Sequence, residues 1–169
     1  IAFKGKRLFY NSGYRPWMGA PHTLAWYKHT QGHNGILVDQ KGQLYDAGAY
    51  GFIPRFVRGE SLSYAVGDAS HAYQAHELSM KVRKDNTPNN MEVDLFRRHY
   101  LLLKPDIFVV YDELESRIPV DWSWLIHNYD GLKLNAENKT VETTYKDRGG
   151  KVTLYGSSDL DYSVTNKFL

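Results

Sequence analysis

An antiparallel two-layer β-sandwich with little helix is the fold these 169 residues predict, and three observations predict it. Short apolar or alternating runs recur along the chain, punctuated by turn residues about every ten positions, as in sandwiches and barrels. Thirteen Tyr and four Trp suit a pleated surface. Helix-forming sequence is scarce: only "DASHAYQAHELSMKV" (68–82) could hold a turn or two. That scarcity excludes βαβ units and, with them, the nucleotide-binding folds.

Taken in order, "RLFY" (7–10) follows a turn at Gly5, and "GILVD" (35–39) runs into Gln40-Lys41-Gly42. "GFIPRFV" (51–57) contains Pro54, which has no N–H to donate, so this strand belongs at an edge or in a bulge. "LSYAV" (62–66) ends at Gly67-Asp68, and Asn86 to Asn90 form the clearest loop. "VDLFRRHYLLL" (93–103) and "IFVVYDEL" (107–114) flank a Lys104-Pro105-Asp106 turn, in which Pro sets a dihedral and Asp satisfies local N–H groups. "VDWSWLIHNY" (120–129), "GLKLN" (131–135), "TVETTYK" (140–146), "KVTLYG" (151–156) and "DYSVT" (161–165) complete the expected strands.

The bulk numbers exclude several classes. A net charge of +2 with no long basic run argues against nucleic acid as a partner. No cysteine means no disulfide, no thiol chemistry and no thiolate-bound zinc. The longest apolar stretches are strand-length, so no membrane-spanning segment is expected. The chain is long enough for one domain, residues 1–169, with a sizeable core. It opens inside an apolar run, "IAFKGKRLFYNSG", without Met, and reads as a piece of a larger protein.

Four segments could carry chemistry. In "HTQGHNGILVDQ", His29 and His33 sit four apart, a zinc-clamp spacing on a helix. Gly32, Asn34 and Gly35 oppose a helix, and in extended chain the two side chains lie roughly 13 Å apart, too far to share a metal. His33, beside two glycines at a strand mouth, is the better candidate, although local spacing alone favours a histidine bonded to its own loop. "RRH" (97–99) puts Arg97 and His99 on one strand face and Arg98 on the other. "YDELE" (111–115) offers carboxylates, but nothing marks a facing pair of the glycosidase kind. "NSGYRPWMGAPH" (11–22) is the richest irregular segment, with Tyr14, Arg15, Trp17 and His22 in a Gly/Pro loop. Arg15 could grip a carboxylate or sulfate in two-pronged fashion, and Trp17 could stack on a sugar. Ser12 and Ser63 have no nucleophile-elbow context.

Three of these stretches, in order and spacing, resemble a known family: "GKRLFYNSGY…GAPHTLAWYKHTQGHNGILVDQKGQ", "LSYAVGDASHAY" and "FRRHYLLLKPDIFVVYDELE". They are similar to the carboxyl-terminal β-sandwich of heparinase II/III-like polysaccharide lyases, closest to the branch of oligoalginate lyases and exo-acting heparinases. The resemblance spans residues 5–127. It implies a parent enzyme, periplasmic or secreted, in which an α/α-toroid precedes the sandwich and an acidic polysaccharide or oligosaccharide lies between them. It further implies cleavage of uronic-acid chains by β-elimination, with the principal catalytic groups outside this chain and the isolated piece inactive. Zinc or another divalent cation is implied in the parent, with His33 at the family's "HN" position as a ligand. Asn11 stands where relatives carry an Asp before "SG", and a neutral amide is a poorer zinc ligand than a carboxylate.

The leading expectation is therefore one wall of a uronate-binding cleft, with Tyr14, Arg15, Trp17 and His22 as substrate contacts. A non-catalytic acidic-glycan-binding module and a purely structural sandwich are the alternatives. Exposed apolar surface makes self-association a further expectation.

Overall fold

The computed structural model of the chain describes residues 1–3, 6–9, 11, 17, 19–44, 48–74, 93–128 and 131–165. In chain order its strands are β1 (Ala2–Phe3), β2 (Lys6–Arg7), β3 (Ile36–Val38), β4 (Phe52–Arg58), β5 (Leu62–Asp68), β6 (Val93–Leu103), β7 (Ile107–Ser116), β8 (Trp122–Trp124), β9 (Lys133–Asn135), β10 (Thr140–Tyr145) and β11 (Arg148–Thr153). A π-helix over Thr23–Tyr27, a 3₁₀ turn over Thr30–Gly32 and one short α-helix, α1 (Ser70–Tyr73), complete the described elements. The all-β expectation holds, and the registers of β1–β2, β4–β5–β6–β7 and β9–β10–β11 are antiparallel throughout. Among the described residues no helix is long and apolar enough to cross a membrane.

The chain divides into two compact units. Residues 28–30 and 36–123 make the central unit, and residues 1–27, 31–35 and 124–169 make the terminal unit. In the central unit a four-stranded sheet runs in the order β4-β5-β6-β7. The 11-residue β6 aligns with β7 from Leu103–Ile107 down to Val93–Ser116, with an irregularity between Val93 and Leu95. Pro54 lies on the edge strand, within the register shift between Phe52 and Arg55, so proline occupies both places its missing N–H allows. The Lys104–Pro105 peptide of the β6–β7 turn is cis.

The core of this unit gathers Ile36 and Val38 of β3, Ala72 and Tyr73 of α1, and Val93 and Phe96 of β6. Ala49, Ala69, Leu114, Val120 and Trp122 pack around them. β3 is buried at every position, so each of its polar groups needs a partner inside the protein. The Tyr73 hydroxyl donates to the Ile36 carbonyl at 2.6 Å, and burial pushes that phenol well above its ordinary range. Asp39 exchanges two 2.9 Å bonds with Asp121, N–H to carbonyl and carboxylate to N–H. Val38 and Lys41 exchange backbone bonds around Asp39 and Gln40, both with positive φ, so the tight turn sits one residue earlier than Gln40-Lys41-Gly42.

At the start of α1, Asp68 accepts from the Ser70 N–H and hydroxyl, while Ser70 Oγ accepts from the Phe96 N–H. Arg97 closes the cluster at 2.9 Å on the other Asp68 oxygen. Arg98, on the opposite strand face, grips Asp112 through two bonds of 2.6 and 2.8 Å. The alternation expected of "RRH" is thus realised with a carboxylate on each side.

Several expected strands differ. Among the described residues of "RLFY" only Arg7 belongs to a strand: Leu8 and Phe9 form a bend, and both side chains reach the same glycine, Gly150. Consecutive strand residues face opposite ways, so two neighbours buried on one spot must leave the extended conformation. "DYSVT" forms no strand; alternation selects a face but supplies no neighbouring strand to bond to. "KVTLYG" shifts back to Arg148–Thr153, because the β10–β11 turn falls at Lys146-Asp147, where Lys146 adopts positive φ. Of the 68–82 helix candidate, Ser70–Tyr73 is helical and residues 75–82 lie outside the described residues, as does the 86–90 loop.

Tyr73→Phe keeps the ring but leaves the buried Ile36 carbonyl without its donor. It should lower unfolding free energy by about 1–3 kcal/mol, read as a lower urea midpoint at unchanged slope.

Candidate functional site

Of the polar residues singled out in the sequence, the described Asn11, His22 and His33 belong to the terminal unit, whereas His29, Arg97, Arg98 and His99 belong to the central one. Thr23 starts the construction. Its side chain is buried, its N–H bonds the Ala20 carbonyl at 2.9 Å, and its hydroxyl bonds the Trp17 carbonyl at 3.3 Å. Ala20 N–H also donates to the Trp17 carbonyl. These bonds fix the backbone of Trp17 while its indole stays 63 % exposed. The ring occupies the space where a side chain at Gly19 would stand: a Cβ there would come within 2.3 Å of it. An exposed Trp with an anchored backbone suits stacking on a sugar face.

His22 is exposed, and its ring meets Tyr27 edge to face at 4.8 Å between centroids. Tyr27 ends the π-helix, and its carbonyl accepts the His33 Nε2–H at 2.9 Å. That bond decides the tautomer of a neutral ring, since a carbonyl only accepts. Gly32 allows the chain to pass Trp26, whose carbonyl and indole nitrogen would lie 2.9 and 3.1 Å from an added Cβ.

Asn34, the residue after His33, joins three segments. Its N–H donates to Asn11 Oδ1 at 3.4 Å. Its own Oδ1 accepts the His127 N–H at 2.7 Å and faces His127 Nδ1 at 3.3 Å. Leu125 N–H bonds the Gly35 carbonyl alongside, and Asn128 Nδ2 bonds Thr143 Oγ1. Burial pushes the His127 imidazole below its ordinary value and the neighbouring His33 pushes the same way, against a hydrogen bond to the Gln31 backbone. The edge of the buried Trp26 closes the other side, 6.2 Å away between centroids.

The structure therefore brings Asn11 and the residue next to His33 together, and places Trp17 and His22 in one anchored segment. Tyr14, Arg15, Ser12 and Gly13 lie outside the described residues. Between His29 and His33 the chain forms the 3₁₀ turn Thr30–Gly32 rather than the expected extended run. The turn holds because Thr30 Oγ1 accepts the Gln43 N–H at 2.8 Å. His127 and Asn34 were not assigned roles from sequence: 93 positions separate them, and no local spacing connects residues that far apart.

Zinc requires four donors in a closed structural site. His33 has committed Nε2 to a carbonyl and Asn11 Oδ1 already accepts a hydrogen bond. Among the described residues no three His, Cys, Asp or Glu side chains converge. These residues by themselves do not fit a zinc cage, and hydrogen bonds hold the turn.

A family model described as "Heparinase II/III-like, C-terminal" matches residues 1–165 of the chain. No curated protein matches it.

Because the folded state favours neutral His127, its contribution to stability is complete above the ordinary imidazole value of 6.5 and fades as pH falls through the lowered folded value. The urea midpoint should drop below pH 6.5, and His127→Gln should flatten that drop. Parallel pH profiles for the two proteins would remove His127 as its cause.

Proposed function

The chain belongs to the heparinase II/III-like C-terminal family, and from that premise we propose that it forms one wall of the substrate cleft of a polysaccharide lyase acting on uronic-acid chains. The reaction is β-elimination on an alginate or heparin-type polymer. A base removes the C5 proton, cationic or neutral donors at the uronate carboxylate stabilise the enolate that develops, and an acid protonates the departing glycosidic oxygen. On this reading the proton-transfer groups belong to an α/α-toroid, and this chain binds and orients the sugar.

The observation that carries the reading is Trp17: a large indole kept exposed on a backbone that Thr23 and Ala20 hold in place. Its exposure leaves the face of the indole open for stacking. Trp17 stacks on a pyranose ring, His22 offers a polar contact from the same segment, and Tyr14 and Arg15 complete the loop. Arg15 takes the carboxylate through its planar fork. The same reading places the protein in the branch of oligoalginate lyases and exo-acting heparinases, in the bacterial periplasm or outside the cell.

The test is absorbance of the unsaturated uronate product, with the intact lyase that carries this domain, on alginate and on heparin-type chains. Product should form on one of them, and silence on every acidic polysaccharide would defeat the lyase assignment. Trp17→Ala should raise KM by roughly 3–10-fold with kcat little changed, the worth of one aromatic stack. Gly19→Ala, which pushes the indole aside, should do the same at an unchanged melting temperature. Unaltered KM in both variants would reduce the loop to a structural part.

A further inference from the structure

The four-stranded sheet ends in two edges that no described strand covers, β4 on one side and β7 on the other. Both carry exposed apolar side chains, although on β7 Val110, Asp112 and Leu114 are partly buried and the Asp112 side chain is 12 % exposed. Phe52, Ile53, Phe56 and Val57 are 45–71 % exposed on β4, and Ile107, Val109 and Tyr111 are 41–60 % exposed on β7. Their charges are opposite. β4 carries Arg55 and Arg58 and no carboxylate, and β7 carries Asp112, Glu113 and Glu115 and no base. Arg55 and Arg58 form no ion pair among the described residues.

The hydrogen-bonding phase of the two edges also matches. Gly59 N–H donates to the Leu62 carbonyl and Lys104 N–H to the Ser61 carbonyl, which sets the alternation of bonded and open pairs across the sheet. Carried through the registers, it turns the backbone N–H and C=O of Phe56 and Arg58 outward from β4. On β7 it turns those of Val110, Asp112 and Leu114 outward. The charges follow the same spacing. Arg55 and Arg58 are three apart on opposite faces, and so are Asp112 and Glu115, with Arg58 and Asp112 on one face and Arg55 and Glu115 on the other.

We propose that this sheet is extended by a second copy of the chain, β4 of one copy adding antiparallel to β7 of the next. Arg58 then faces Asp112, Arg55 faces Glu115 and Phe56 faces Leu114. Outward backbone groups meet outward backbone groups, like faces continue, and each cation meets an anion. The two-fold alternatives lack this complementarity, since the charges that β4 brings to β4 are all arginines and those that β7 brings to β7 are all carboxylates. Asp112 keeps Arg98 and has acceptor capacity for a second guanidinium. Pro54, without an N–H, limits the added run to the residues after it. Each copy offers one β4 and one β7, so the contact is head-to-tail and does not close at two.

Sedimentation velocity of the 169-residue chain over a range of concentration and salt tests this. The sedimentation coefficient should rise with concentration past that of a dimer and fall as salt is added. Arg55→Glu and Glu115→Arg should each weaken association roughly tenfold, the swing from an attractive to a repulsive cross-strand pair. The double variant, with its charges exchanged, should recover it; far-ultraviolet circular dichroism verifies that each variant is folded. A monomer at every concentration, a dimer that grows no further, association that strengthens with salt, or indifference to both single reversals would each overturn the proposal.

Discussion

Burying β3 entirely is the constraint from which the central unit follows. A strand with Ile36, Leu37 and Val38 at 1–2 % exposure cannot leave a carbonyl or an N–H unpaired, because water is not there to take its place. The Tyr73 hydroxyl takes the Ile36 carbonyl and the Val38–Lys41 exchange takes both polar groups of Val38, while Asp39 and Asp121 pair just beyond the strand. Tyr73 must then be held, which explains the short α1 and the Asp68–Ser70–Arg97 cluster at its start. Polar groups that look incidental in the sequence are the partners a buried strand requires.

The terminal unit applies the same logic to a turn. His33 bonds the Tyr27 carbonyl and Asn34 bonds both Asn11 and His127, so that bonds each weak alone close a loop from separate segments of chain. The amide of Asn11 adds no charge to this cluster and offers both a donor and an acceptor where a carboxylate only accepts. The neutral imidazole of His127 fits such surroundings, since burial disfavours its charged form.

The two kinds of exposed aromatic surface differ in character. Trp17 is a single exposed indole on an anchored backbone, whereas the apolar residues of β4 and β7 lie along sheet edges that no described strand covers. In the readings proposed above, the first meets a sugar ring and the second another strand. Edge proline at Pro54 shows how this sheet restricts the length of backbone it offers.

Much of the fold was legible in the residues. The long apolar runs 93–103 and 107–114 around Lys104-Pro105-Asp106 became β6 and β7, Pro54 marked an edge and a bulge, and "RRH" divided its charges by strand alternation. Family membership was readable from motifs in order, as the match over residues 1–165 bears out. Local pattern determines these things because period, proline and turn chemistry act within a few residues. The π-helix at Thr23–Tyr27, the bend at Leu8-Phe9 and the Asn34–His127 pairing were decided only in three dimensions. The bend and the turn each depend on a partner distant in sequence, Gly150 for the first and residue 127 for the second, and no local rule encodes which distant residue will arrive.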